Sequence, residues 1–446
     1  MSVRQKYLGD LFVTNRFYIS LGTCAVFFIV AFFYPPLLAL VTLFFYMICV
    51  LILVDYLFLF VWCAAPNAYR EVSEKLSNGD PNLVSIYLTN KMPFVLVTQI
   101  IDELPFQLQN RHFNITKKLL QKQSASVSYY ITPTERGNYQ FGNLLLFIRT
   151  LLGLVQRRIT INAMQTVSVY PSFSQLGKYS LLAQTHTAEQ GSKRIRKIGQ
   201  SMEFEQIKDY VGGDDIRTIN WKATARKGGL MVNNYTDEKS QQVYCIIDKG
   251  RLMKMPFYGL SLLDYAINAT LALSNICLQK QDKIGLMSFS EKMGNIVAAD
   301  RKSIQRENIM QVLYNEKTNF MESDFEMLYM QVRYKIKQRS LLILFTNFES
   351  LNGLKRQLPY LRSIAKHHLL LVVFFENTEL TKLSQANAKN VEDVYVKTIA
   401  DKLAYEKRMV VKELLHYGIL SILSTPQNLT VNTINKYVEL KAKQML

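Results

Sequence analysis

Two polar residues follow apolar runs that have the length and composition of buried strands. Asp248 comes directly after the run 243–247, and Asn347 comes one residue after the run 341–345. In an open sheet of parallel strands, ligands bind beyond the carboxyl ends of the strands. The spacing therefore places Asp248 and Asn347 where a ligand or a metal ion would be held.

Local motifs of the common catalytic sites do not occur in the chain. There is no G-x-x-x-x-G-K-[ST], no G-x-S-x-G, no H-E-x-x-H and no G-x-G-x-x-G after a strand pattern. The five histidines have no spacing typical of a metal site or a catalytic triad: His112, His186, His367, His368 and His416. We therefore predict no catalytic residues and no enzyme. The alternative is a hydrolase that uses Asp214, Asp215 or Asp248 as acid or base.

A second polar group contains Asp214, Asp215, Arg217, Trp221 and Arg226. Two carboxylates, two guanidinium groups and an indole so close in sequence can form a charge-assisted hydrogen-bond network. We predict a buried network that clamps the connector 173–240 to the sheet that follows. The alternative is a surface that binds a partner.

The elements around Asp248 and Asn347 alternate between strand and helix. Strand patterns cover 243–247, 283–289, 341–345 and 369–375, and helical patterns cover 260–278, 303–313, 324–335, 354–366 and 431–443. This alternation predicts an α/β doubly wound, mostly parallel, Rossmann-type domain over residues 241–446, with helices on both faces of the sheet.

Residues 67–172 have the pattern of short strands separated by turns. The strand patterns cover 83–88, 94–101, 126–132, 144–148 and 159–169, and a hairpin pattern lies at 135–138. Several short strands without a long helical stripe predict a small β-sandwich domain.

Two uncharged segments near the N-terminus predict a transmembrane helical hairpin anchor over residues 1–66. The segments 17–34 and 37–54 each contain eighteen residues, and Pro35 and Pro36 separate them. At 1.5 Å rise per residue each helix spans ~27 Å, close to the thickness of a bilayer core. The lipid bilayer is therefore an expected partner.

Charges beside the hairpin predict its orientation. Arg4, Lys6 and Arg16 precede the first segment, whereas Arg70 and Lys75 follow the second, and the connecting turn is uncharged. Because basic residues favour the cytoplasmic side, we expect a two-pass protein with its soluble domains in the cytoplasm. Asp55 then falls near the inner interface, where we expect a solvated carboxylate.

The formal net charge of +18 does not come from a basic cluster, since basic and acidic residues alternate along the chain. Nucleic-acid binding depends on clustered cations that neutralise phosphates. We therefore predict no nucleic-acid partner.

The stretch 204–226 resembles the signature of the bacterial and archaeal domain of unknown function 58 family. It reads YVGGDDIR at 210–217 and INWKATAR at 219–226, and further similar stretches lie at 136–142, 153–154, 169–171 and 437–441. Asn220 stands where relatives often have Asp. The resemblance implies a protein of the prokaryotic cytoplasmic (inner) membrane, with a hairpin anchor, a β-rich domain and a von Willebrand factor A-like domain.

Domains of the von Willebrand A type often hold a metal ion with the pattern D-x-S-x-S, a later Thr and a later Asp. Both serines are absent after Asp248, Ser323 stands in for the Thr, with Thr318 as a second candidate, and Asn347 replaces the Asp. The resemblance thus implies a degenerate site at Asp248, Ser323 and Asn347 with weak Mg²⁺ affinity, which we expect to be empty, and no other cofactor. In the alternative, Asp248 accepts hydrogen bonds from Ser323 or from nearby backbone.

The resemblance also implies a function. We expect a non-enzymatic, membrane-tethered scaffold or adaptor that binds other proteins. The resemblance implies that its partners are a MoxR-type AAA+ ATPase and other von Willebrand A membrane proteins, in assembly or maturation of envelope proteins. We expect Lys249 and Arg251 to bind the partner at the exposed top of the sheet. The alternative is a metal-dependent adhesion module.

Overall fold

The computed structural model describes residues 9–110, 113–173, 177, 202–237, 241–318, 320–386, 390–443 and 445. Arg4, Lys6, His112, His186 and most of the connector up to residue 201 lie outside the described residues. The chain divides into two units, Met1–Tyr170 and Pro171–Leu446.

Unit 1 begins with two apolar helices, α1 (Asn15–Phe33) and α2 (Leu38–Leu57). A 3-10 turn at Pro35–Leu37 joins them, because consecutive prolines cannot continue an α-helix. Helix α2 runs on into a π-helical turn at Phe58–Trp62. Both helices are long and apolar enough to cross a membrane by length and composition. The prediction of two apolar N-terminal helices is confirmed.

The rest of unit 1 is rich in strands. The strands are β1 (Leu11–Val13), β2 (Asn67–Val72), β3 (Lys75–Ser77), β4 (Asn82–Thr89), β5 (Leu96–Asp102), β6 (Ile115–Leu119), β7 (Ser124–Ile131), β8 (Gly137–Phe141), β9 (Leu144–Arg149), β10 (Val155–Ile161) and β11 (Gln165–Tyr170). They form the sheets β1-β10-β9-β5-β6, β2-β4-β7 and β3-β11-β8. The single strand expected over 159–169 is wrong, because residues 162–164 separate β10 from β11 and the two strands join different sheets.

Alternating side chains of these strands fill two hydrophobic clusters, and the larger one contains residues of β4, β7 and β9. In β4, Val84, Ile86 and Leu88 are fully buried, while the residues between them are more exposed. This period of two is what a strand with one face on the core requires.

Unit 2 begins with an antiparallel pair, β12 (Met202–Asp209) and β13 (Met231–Asp237). A 3-10 turn at Ile216–Thr218 and the short helix α3 (Trp221–Lys227) lie between them. We call residues 202–237 the signature arm, because they contain the stretch by which the sequence resembles its family.

A mixed α/β sheet follows, as the alternation predicts. Its strands are β14 (Gln242–Asp248), β17 (Lys283–Phe289), β18 (Met293–Asp300), β19 (Leu341–Phe345), β20 (Leu369–Phe375) and β21 (Leu420–Ser424), and β15 (Pro256–Phe257) pairs separately with β16 (Leu260–Ser261). The order is β18-β17-β14-β19-β20-β21. Strand β18 is antiparallel to its neighbour, and the other pairs are parallel.

Helices cover both faces of this sheet. They are α4 (Leu262–Gln279), α5 (Ile304–Asn315), α6 (Phe325–Lys335), α7 (Leu351–Ala365), α8 (Thr378–Gln385), α9 (Val391–His416) and α10 (Leu429–Ala442). In β14, Val243, Cys245 and Ile247 join the core with α4, α5 and α10, whereas Tyr244 and Ile246 join the core with α6, α7 and α9. Strands buried on both faces explain the continuous apolar runs in the sequence.

Candidate functional site

Asp248 ends β14 and lies buried at the carboxyl edge of the sheet, with 4% of its surface exposed. Its Oδ1 accepts hydrogen bonds from the backbone N–H of Gly250 at 2.8 Å and from the Ser323 hydroxyl. Its Oδ2 accepts one from Thr346 Oγ1 at 2.6 Å. Burial raises the pKa of Asp248, and these three hydrogen bonds oppose the rise.

A side chain at position 250 would displace the Ser323 hydroxyl from Asp248. A Cβ there would lie 2.1 Å from Ser323 Oγ and 3.1 Å from Asp248 Oδ1. The structure thus places Ser323 in contact with Asp248. This contact is the hydrogen bond that we expected as the alternative to a metal site.

Asn347 is engaged by a residue that sequence reasoning missed. Lys407, on α9, donates from Nζ to Asn347 Oδ1 at 2.7 Å and to the carbonyl oxygen of Phe375 at 2.5 Å. Burial lowers the pKa of Lys407 to about 8, although Glu349 and Glu376 oppose the shift. Lys407 shares its buried helix face with Ala400, Val410 and Leu414. That spacing of three, four and seven residues could have revealed a lysine on an apolar face.

The side-chain oxygens at this edge are not arranged to bind a divalent cation. Both oxygens of Asp248 accept hydrogen bonds from protein groups, and an ammonium occupies the amide oxygen of Asn347. Hard cations bind several free oxygen ligands at once. Within the described part of the chain, no group of three or more His, Cys, Asp or Glu residues is placed to hold a metal ion.

Lys249 forms a buried ion pair with Glu316. The Nζ–Oε2 distance is 2.8 Å, and 12% and 2% of the two side chains are exposed. Glu316 Oε1 also accepts from Ser288 Oγ at 2.7 Å and from Asn295 Nδ2 at 2.9 Å. The expectation that Lys249 presents an exposed charge is wrong, because β17 and the segment after α5 bring polar groups over it. Arg251 is exposed and pairs with Glu322 at 3.1 Å.

Both acids of the signature arm hold local backbone. Asp214 pairs with Lys208 at 2.9 Å and accepts from the backbone N–H of Val211, and these two hydrogen bonds lower its pKa. Asp215 accepts from the backbone N–H of Arg217 at 3.0 Å and caps the 3-10 turn. Both carboxylates thus shape the segment between β12 and β13.

Asn220 caps the N-terminus of α3. Its Oδ1 accepts from the backbone N–H of Ala223 at 3.0 Å, and its Nδ2 donates to Asn233 Oδ1 at 2.8 Å. Asn and Asp are both good N-cap residues, so the Asn that replaces the expected Asp keeps this role.

The remaining signature residues are not buried. Arg217, Trp221 and Arg226 are exposed, and Trp221 shows 68% of its surface. Neither arginine forms an ion pair within the described part of the chain. The prediction of a buried clamp is therefore wrong, because a two-stranded ribbon and a helix of seven residues provide no second layer to cover these side chains.

Exposed apolar side chains surround Trp221 in sequence. We call the following four residues the apolar tip of the signature arm: Val211, Ile216, Trp221 and Leu230. Each shows between 47% and 70% of its surface. The cations Arg217, Lys222 and Arg226 lie between them in sequence and are exposed as well.

Residues 206–406 match the family described as "Protein of unknown function DUF58". The chain thus contains a DUF58 family domain over these residues. The match begins in β12 and ends in α9, so it includes residues 206–237 of the signature arm, Asp248 and Asn347.

A relative with 25% identity over 190 residues is "Uncharacterized protein YeaD" of Bacillus subtilis (strain 168). The aligned part is 41% of this chain and 48% of that protein, so the chain spans about half the length of the curated relative it matches.

Similar solved structures have low scores. BatB from Bacteroides thetaiotaomicron is 10% identical with a TM-score of 0.30, covering 46% of this chain and 98% of that one. An uncharacterized membrane spanning protein from Vibrio fischeri is 11% identical with a TM-score of 0.17, covering 45% and 98%. The CARDB domain of a Pyrococcus furiosus protein is 15% identical with a TM-score of 0.17, covering 23% and 93%. Scores of this size do not establish a shared fold.

Proposed function

We propose that this protein is a non-enzymatic, membrane-tethered scaffold that binds other proteins through the apolar tip of its signature arm. The exposure of Val211, Ile216, Trp221 and Leu230 supports this proposal. Groups of exposed apolar side chains with a polar surround are typical of protein-binding surfaces.

The chemistry of the tip indicates what the partner must offer. Trp and Arg are the residues that most often carry the binding energy of protein interfaces. Trp221 would enter an apolar pocket, and Arg217 and Arg226 would face carboxylates of the partner. The proposed surface thus replaces the one expected at Lys249, whose ammonium is already paired with Glu316.

By resemblance, the proposed partner is a MoxR-type AAA+ ATPase, with other von Willebrand A membrane proteins as further partners. The proposed process is assembly or maturation of envelope proteins. The classification of the α/β sheet as von Willebrand A-like belongs to the same proposal.

The alternatives have less support from the geometry. A low pKa makes Asp214 a weak general base, and Asp215 is occupied as a cap. Asp248 has both oxygens engaged, which weakens its case as an acid, a base or a metal ligand.

Trp221→Ala tests the proposal. In affinity capture from native membranes with the tagged full chain, we expect recovery of the ATPase to fall by more than about tenfold, as for a binding hot spot. The melting temperature should be nearly unchanged, because substitution of an exposed residue alters stability by only about 0.5 kcal/mol. Phe106→Ala, at an exposed aromatic residue of unit 1, is the matched control and should bind normally.

Two results would contradict this proposal. Unchanged recovery of the ATPase with Trp221→Ala would place the interface elsewhere. A marked fall in melting temperature, together with lost recovery, would give Trp221 a structural role instead of a contact role.

A further inference from the structure

A cleft of about 330 Å³ lies at the opposite edge of the sheet, at the amino ends of β19 and β20 and beside α6 and α7. This edge is remote in the topology from Asp248, which stands at a carboxyl end of a strand. Polar and basic side chains dominate its lining, and the following six are the ones that could bind a ligand: Arg333, Lys337, Arg339, Ser363, His367 and His368.

Positive charge in the cleft is not balanced. No Asp or Glu is among the lining residues, and Arg333, Lys337 and Arg339 form no ion pair within the described ranges. Arg333 donates to the hydroxyl of Tyr329 at 3.0 Å, and Lys337 donates to the carbonyl oxygen of Arg333 at 3.5 Å. All three cations are exposed to solvent, and a bound anion would neutralise part of their charge.

Helix dipoles explain only part of this arrangement. Arg333 lies in the last turn of α6, where a cation interacts favourably with the carbonyl end of the helix. Lys337 and Arg339 lie beyond the end of that helix at Lys335, and His367 and His368 lie beyond the end of α7 at Ala365. Lys337 donates to the carbonyl oxygen of Arg333 in the last turn and so shares this interaction, whereas the dipole effect does not account for Arg339, His367 and His368.

His368 lines the cleft as its most buried basic residue. Only 7% of its surface is exposed, and its Nδ1 has no hydrogen-bond partner in the part of the chain that the structure describes. Burial and the neighbouring His367 lower the pKa of His368. Buried polar atoms without a partner are rare in native proteins, because each loses its hydrogen bonds to water without replacement.

We propose that this cleft binds a phosphate-bearing ligand through Arg333, Lys337, Arg339 and the two histidines. Guanidinium groups match the geometry of phosphate oxygens, and the ammonium of Lys337 adds a point charge. A phosphomonoester carries nearly two negative charges, so it suits a site with three permanent cations better than a single carboxylate does. The size of the cleft fits a small ligand.

The full chain in neutral detergent can be titrated with inorganic phosphate and with glycerol 3-phosphate in a calorimeter at constant ionic strength. We expect binding of both, and at least about tenfold weaker binding after Lys337→Ala with Arg339→Ala. Lys355→Ala with Arg356→Ala removes the same two charges from the exposed surface of α7 and should change affinity less than about twofold.

His368→Phe tests whether His368 binds the phosphate or only stabilises the fold. The substitution keeps an aromatic ring and removes both ring nitrogens of a residue that lines the cleft, so we expect weaker phosphate binding with an unchanged or higher melting temperature. A purely structural role of His368 would lower the melting temperature and leave the affinity of the folded protein unchanged, which would contradict its place in the site.

The source of the phosphate is distinguished by reconstitution into nanodiscs of zwitterionic or anionic phospholipid. If a lipid headgroup is the ligand, glycerol 3-phosphate binding should be lost in the anionic discs. If a soluble phosphomonoester is the ligand, glycerol 3-phosphate should still bind in these discs. No binding of either phosphate compound in detergent would overturn the proposal. Tighter binding of an oligonucleotide that is insensitive to His368→Phe would also overturn it.

Discussion

Lys407 holds the carboxyl ends of two neighbouring strands together. Its ammonium bridges Asn347, which follows β19, and Phe375, which ends β20. A buried ammonium loses its hydration, and the two acceptors only partly replace it. This balance explains why the pKa of Lys407 falls to about 8 and yet leaves the residue mostly charged at neutral pH.

The depressed pKa of Lys407 predicts a rise of stability at alkaline pH. Between about 8 in the folded protein and 10.5 in the unfolded chain, the unfolded state binds more protons, so the free energy of unfolding increases with pH in this window. The full contribution is roughly 3 kcal/mol. Lys407→Met removes this contribution. The unfolding free energy of the wild type should therefore increase relative to that of the variant as the pH rises.

Chemical denaturation of the full chain in detergent at several pH values between 7 and 10.5 measures this difference. Lys402→Met, at an exposed lysine of the same helix, should show no such change relative to the wild type. An identical pH dependence of wild type and Lys407→Met would mean that Lys407 keeps an ordinary pKa in the folded protein.

At the scale of elements, α2 of unit 1 is joined to the turn between β9 and β10. Asp55, buried in α2, accepts hydrogen bonds from the backbone N–H groups of Leu154 and Val155, each at 2.9 Å. It also accepts from Thr150 Oγ1 at 2.5 Å. The expectation of a solvated carboxylate at Asp55 is wrong, because the β9–β10 turn covers it.

The helical residues after α2 strengthen this connection. Leu59 and Phe60, in the π-helical turn, are buried against Ile148 and Val155. At the N-cap of α1, Thr14 donates to the carbonyl oxygen of Gly153 at 2.5 Å. The hairpin and the strand-rich region of unit 1 therefore form one packed body.

Asp55→Ala should loosen this connection. The substitution leaves the Leu154 and Val155 amides without an acceptor, and unsatisfied buried groups cost about 1 to 3 kcal/mol each. We expect a loss of roughly 2 to 4 kcal/mol in unfolding free energy and faster hydrogen exchange at these two amides. Thr23→Val, on the exposed surface of α1, is the control and should leave both unchanged. Protected amides in the Asp55→Ala protein would show that the turn does not depend on the carboxylate.

Sequence periodicity predicted the elements whose patterns are set by burial. Strands 283–289, 341–345 and 369–375 coincide with β17, β19 and β20, because residues buried on both faces give continuous apolar runs. Helix α9 and strand β21 were missed, since α9 carries charged residues on its exposed faces and β21 is only partly buried.

The candidate site was predictable only in part. Asp248 and Ser323 meet as expected, because Asp248 ends β14 and Ser323, just before α6, lies at the same edge of the sheet. The partners of Asn347 and Lys249 were not predictable, since Lys407 and Glu316 lie 60 and 67 residues away in sequence and depend on tertiary packing. Trp221 is exposed because the residues that the structure describes place no second layer over it, and no local pattern of the signature arm encodes this.

At the scale of the whole molecule, the structure places both open ends of the hairpin beside the strand-rich region of unit 1. Strand β1, just before α1, pairs with β10, and α2 ends at the β9–β10 turn. If the helices cross a membrane, residues 9–14 and the strand-rich region therefore lie on the same side.

The contacts of the basic residues beside the hairpin decide which of them indicate the side of the membrane. Arg70 is buried in an ion pair with Asp102 and stacks on Phe141, so it is a structural residue and not a surface charge near the lipid. Arg16 donates to the carbonyl oxygens of Leu151 and Leu152 at 3.1 and 3.0 Å, and it remains close to the start of α1. The uncharged turn at Pro35–Leu37 has no cation to oppose translocation.

We therefore predict that residues 66–446 face the cytoplasm, with the Pro35–Leu37 turn on the opposite side. Green fluorescent protein fused after Leu446 of the full chain should fluoresce, and alkaline phosphatase fused there should be inactive, because the first folds in the cytoplasm and the second requires export to form its disulfides. Alkaline phosphatase inserted at the Pro35–Leu37 turn is the matched control and should be active. Active phosphatase after Leu446 would reverse the orientation and remove the signature arm from any cytoplasmic ATPase, whereas inactive phosphatase at both positions would show that the hairpin does not cross the membrane.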